Sequence, residues 1–145
     1  MQVTIPMYEK GRSFVMAGGL VKAYEGHRFV YLHLMCQGLE CIGKALLLES
    51  NYEKYEPVLK DGYGHDLKVL IAEVDRNAGN RFFSEAASKE LNALNTFYKK
   101  HMLRYGNPLD FKKQSASLSA EHLHRELVAS LVNLNQRFSS VERDA

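Results

Sequence analysis

At 145 residues, with 46% hydrophobic and 25% charged residues, the chain carries enough apolar material for one globular domain and too much for a disordered or fibrous segment. Its 19 Lys and Arg against 17 Asp and Glu leave a formal net charge of +2, so charge alone marks it as neither a nucleic-acid nor a membrane binder. Cys36 and Cys41 stand five apart in one predicted helix and point about 140° apart, which excludes a disulfide between them and suits reduced thiols in a cytoplasmic protein.

Taken in order, residues 1 to 12 hold Val3-Thr4-Ile5 before Pro6, a fragment with no partner strand, and are expected to form an N-terminal arm. Residues 10 to 21 imitate a short signal peptide, but Gly18 and Gly19 interrupt the apolar stretch and no Ala-x-Ala site follows. No apolar run of about 18 residues could span a bilayer, so no membrane role is expected. A first helix is predicted from Ser13, as N-cap, to Gly26, with Phe14, Ala17, Val21 and Tyr24 on its buried side.

A second helix over residues 27 to 49 is almost wholly apolar and should be central. Its small Cys36 and Gly43 alternate with Leu32, Leu39 and Leu46, which invites close packing by a neighbour. His33, Gln37, Glu40 and Lys44 form its one polar seam; a solvated strip is the expectation, with a cleft or subunit interface as the alternative.

Residues 50 to 64 read as a loop, with Asp61-Gly62 as a turn signal. Tyr63-Gly64-His65-Asp66-Leu67 then opens a third helix over 65 to 76, its buried face built by Leu67, Leu70, Ile71 and Val74. A fourth helix is predicted from 84 to 105, aligned on Leu91, Leu94, Tyr98, Met102 and Tyr105 and ended by Gly106-Asn107-Pro108. After a polar linker, a fifth runs from 119 to 138 on Ala120, Leu123, Leu127, Leu131, Leu134 and Phe138, leaving 139 to 145 as a tail. The fold class is therefore all-α: an up-and-down bundle of about five helices forming a single domain over 13 to 138.

Chemistry-bearing motifs are sparse. The sequence has no glycine-rich phosphate loop, nucleophile elbow, paired CxxC or HExxH, and none of its six histidines forms an i, i+4 pair, so no metal or cofactor is predicted.

The long helix with Glu40 and Lys44, then Gly64-His65-Asp66-Leu67 opening a helix, then a helix ending in Leu103-Arg104-Tyr105, resembles the HEPN superfamily (higher eukaryote and prokaryote nucleotide-binding domains) over about residues 13 to 106. The resemblance implies a dimeric helical domain of the kind linked to toxin–antitoxin systems, RNA cleavage or nucleotide binding. RNA-cleaving members are similar in carrying an arginine followed four to six residues later by a histidine near the end of a late helix. Here Arg104 has no such histidine, and Arg28 with His33 matches the spacing only on the second helix.

Metal-free RNA cleavage needs a general base at the 2′-hydroxyl and a cation for the charged transition state. His65 and Arg104 are the candidate catalytic pair, with Asp66, His101, Tyr105 and Tyr63 as candidate ligand-binding residues, the tyrosines as stacking platforms. Against this, His65 and Asp66 can be a helix cap and Arg104 a partner for a helix C-terminus. Two functions follow: a non-catalytic binding or regulatory module acting as a homodimer or with a partner protein, with RNA or a nucleotide as ligand; or a metal-independent ribonuclease with a rearranged site. Convergence of His65, His101 and Arg104 from one or two subunits in an open cleft would favour the enzyme, and their scattering or burial in salt bridges would favour the binding module.

Overall fold

Helix α2 (Arg28–Ser50) is apolar on nearly every side because it is the axis on which the other helices pack; Leu32, Met35, Cys36, Leu39, Ile42 and Leu46 to Leu48 are all buried. The computed structural model describes residues 2–105 and 117–144, except for the side chains of residues 60, 61, 105 and 140–144. Around α2 lie α1 (Thr4–Ala23), α3 (Tyr52–Tyr55), a π-helical turn (Leu59–Tyr63), α4 (Leu67–Ala78), α5 (Glu85–Tyr98), α6 (Met102–Tyr105) and α7 (Glu121–Asp144). Among the described residues there is no strand, and no helix is long and apolar enough to cross a membrane.

The expected N-terminal arm is instead helix. Residues 4 to 12 belong to α1, and Ser13 lies inside it, its hydroxyl donating to the Glu9 carbonyl at 2.8 Å rather than capping. The expected buried face is wrong for the same element: Thr4, Tyr8, Gly11, Val15 and Gly18 face inward, whereas Phe14, Ala17 and Val21 are half-buried and Tyr24 is exposed. A Cβ on Gly11 would lie 2.9 Å from the Gly38 carbonyl oxygen, and one on Gly38 3.0 Å from the Gly11 carbonyl oxygen. The two helices thus touch backbone to backbone, antiparallel, a contact only glycine permits.

Helix α4 buries the four residues expected of it, begins after Asp66 rather than at His65, and ends at Gly79 in the left-handed region (φ +77°). It runs parallel to α2: Gly43 meets Leu70 and Ile71, and Leu46 and Ser50 share one cavity wall with Val74 and Asn77. The order is therefore not strictly up-and-down. Residues 51 to 66 make the return run, and they do so as α3, capped by Asn51, and the π-helical turn rather than as irregular loop.

The expected fourth helix breaks at Lys99 to His101, where His101 adopts φ +60°, and resumes as α6. Its expected stop at Gly106-Asn107-Pro108 and the linker to 116 lie outside the described residues. Helix α7 is helical to Asp144, beyond the expected end, with Leu123, Leu127, Leu134 and Phe138 buried. Glu90 of α5 accepts the Leu123 amide at 2.8 Å and Glu126 of α7 accepts the Ser84 amide at 2.8 Å, so each helix caps the other's start.

Candidate functional site

The polar seam of α2 is not solvated. Glu40 and Lys44 side chains are each only 13% exposed, because the start of α4 and the end of α5 close over them. Glu40 Oε2 accepts from Lys44 Nζ at 3.1 Å, while its Oε1 accepts from Tyr98 OH at 3.0 Å and faces His65 Nδ1 at 2.7 Å. Lys44 also donates to the Gly64 carbonyl at 3.1 Å, tying the α2 seam to the backbone just before His65.

Placement of His65 depends on the α4 cap. Asp66 Oδ1 accepts the Val69 amide at 3.2 Å and the Asn95 amide nitrogen at 2.9 Å, and Asn95 in turn accepts the Leu67 amide at 2.8 Å. Buried Asn95 thus pins the first turn of α4 to α5, one helical turn from Tyr98. Burial raises the Asp66 pKa, but the bonds from Asn95 and Val69 and the Lys99 charge outweigh it and hold the carboxyl below its ordinary value.

Around this carboxylate the aromatic rings gather. His65 lies 4.9 Å from His101 and 6.0 Å from Tyr98, both edge-on, and His33 lies 5.6 Å from Tyr98 between ring centroids. His65 is half exposed, and His101 and Arg104 are exposed. Burial pushes the His33 imidazole below its usual range, and the nearby Arg104 and His101 charges add to this while Glu40 opposes it. Its Nδ1 is buried without a hydrogen-bond partner among the described residues. Burial drives the Tyr98 hydroxyl upward, reinforced by the Glu40 carboxylate it donates to.

The expected residues divide clearly. His65 and His101 meet, with Arg104 close enough to act on the same cluster through His33. Asp66 is committed to its cap. Tyr63 is partly buried against the core, where burial raises its hydroxyl pKa, Glu73 adds to this and Arg76 opposes it. The Tyr105 side chain lies outside the described residues. Sequence reasoning overlooked Glu40, Lys44, His33 and Tyr98 as site members, although the seam itself signalled the first three.

Chemically, the arrangement offers one carboxylate-bound imidazole, a second imidazole beside it and a rim of exposed Lys68, Lys99, Lys100 and Arg104. Such a surface can hold a phosphate and move protons beside it. Among the described residues no group of three or more His, Cys, Asp and Glu side chains is placed to hold a metal ion. No protein-family model, curated protein or solved structure matches the chain.

Proposed function

We propose that this chain is a HEPN-like domain that binds RNA at the cationic end of α5 and cleaves it without a metal. The observation that carries this reading is the meeting of His65 and His101 at 4.9 Å beside the largely buried Glu40. His65 takes the proton of a ribose 2′-hydroxyl, the resulting oxygen bonds to phosphorus, the bond from phosphorus to the 5′-oxygen breaks, and a protonated His101 gives that oxygen its proton. Arg104 and the lysine rim offset the charge that builds on phosphate. Total RNA incubated with the protein in EDTA should be cut, and His65→Ala and Arg104→Ala should each lose the activity. Intact RNA with the wild type, or cutting undiminished in both variants, would overturn this assignment.

A non-catalytic binding module is the second reading, favoured by the structural bonds that occupy Asp66, Glu40 and Lys44. Salt-dependent RNA binding without cleavage would identify it. Either form would act as a homodimer: α1 and its C-cap turn Met16 (58% exposed), Leu20 (61%) and Tyr24 (83%) outward at i, i+4 and i+8.

A further inference from the structure

We infer that Glu40 is the positioning carboxylate of this site, fixing His65 in the Nδ1–H tautomer so that Nε2 is its basic nitrogen; the inference rests on the acid–base reading above. A carboxylate can only accept, so the imidazole nitrogen 2.7 Å from Glu40 Oε1 carries a proton. In the neutral ring the lone pair then belongs to Nε2. Without the carboxylate, a half-exposed histidine has no fixed partner at Nδ1 and samples both tautomers.

Glu40 is itself held. Tyr98 donates to the same Oε1 and Lys44 to Oε2, so both carboxylate oxygens are engaged within a nearly dry seam. Lys44 has a second effect, because its bond to the Gly64 carbonyl fixes the backbone one residue before the ring. The triad of imidazole, carboxylate and ammonium spans α2 and the α4 entry.

The test reads the tautomer directly. In the full chain without RNA, ring nitrogen shifts from long-range proton–nitrogen NMR should place wild-type His65 in the Nδ1–H form. Glu40→Gln should give mixed tautomers and lower kcat on RNA on the order of 100-fold or more with little change in KM, as expected when a base loses its orienting partner. Glu40→Asp, which keeps the charge, should recover part of the Nδ1–H population, and thermal unfolding of each variant separates this from loss of fold. A wild-type ring in the Nε2–H form, or a tautomer unchanged in Glu40→Gln, would overturn the role of Glu40 even where RNA is cut. A correct tautomer with no cleavage would overturn the ribonuclease reading alone.

Discussion

Individual side chains in this bundle do more electrostatic work than the near-zero net charge suggests. Glu73 accepts from Tyr55 OH at 2.6 Å and pairs with Arg76, joining α3 to α4. The Arg76 and Tyr55 hydrogen bonds bring its pKa down to about 2 from an ordinary 4.5, against the smaller effect of burial. A folded-state pKa below the unfolded one gives stability that is present above the unfolded value and lost as pH falls towards the folded one. The melting temperature should therefore drop between pH 4.5 and 2 more steeply for wild type than for Glu73→Gln, and parallel curves would refute this account of the pair. Burial holds His33 and His124 below the usual imidazole range, so stability is also lost as pH falls below about 6.5 towards their lowered folded-state values. Gly64 and His101, at φ +50° and +60°, flank the candidate site with backbone that most residues avoid. Neither angle is legible in sequence, since both are imposed by the junctions between helices.

Among the helices, legibility followed the side chains that carry the burial. Helices α4, α5 and α7 bury leucine, isoleucine, valine and aromatic residues at helical spacing, and their buried faces match the expectation closely. Helix α1 departs from the rule, because its inward face sets Gly11 and Gly18 among Thr4, Tyr8 and Val15 while the apolar Met16 and Leu20 point outward. A glycine seam has no hydropathy to detect. This gives a pair of substitutions with opposite signs. Gly11→Ala puts a methyl 2.7 Å from Ile42 and 2.9 Å from the Gly38 carbonyl, forcing α1 off α2. The overpacking, about 1–3 kcal/mol, should exceed the helix-propensity gain of about 1 kcal/mol. At Gly19 the nearest atom would be His124 Nε2 at 3.5 Å, an ordinary contact. Gly19→Ala should therefore raise the urea midpoint while Gly11→Ala lowers it, and two shifts of the same sign would contradict the seam.

For the molecule as a whole, the outward ridge of α1 is the surplus apolar surface that a second copy would cover. Sedimentation velocity at micromolar concentration should show a dimer for wild type and a monomer of unchanged helicity for Leu20→Glu. A wild-type monomer would remove the ridge as an interface. The sequence by itself determined that the chain is helical, that α2 is central and that α4, α5 and α7 bury the faces they do, because apolar periodicity is a local property set by 3.6 residues per turn. It also marked the seam of His33, Glu40 and Lys44 without showing what lay against it. Only the tertiary structure decided that α1 begins at Thr4 and packs through glycine, that α4 returns parallel to α2, and that Glu40 meets His65 and Tyr98 across 25 and 58 residues of chain. Those contacts depend on where the helices cross, which is fixed by the shape of facing surfaces and by how the connection at 51 to 66 runs, neither of which has a period to read.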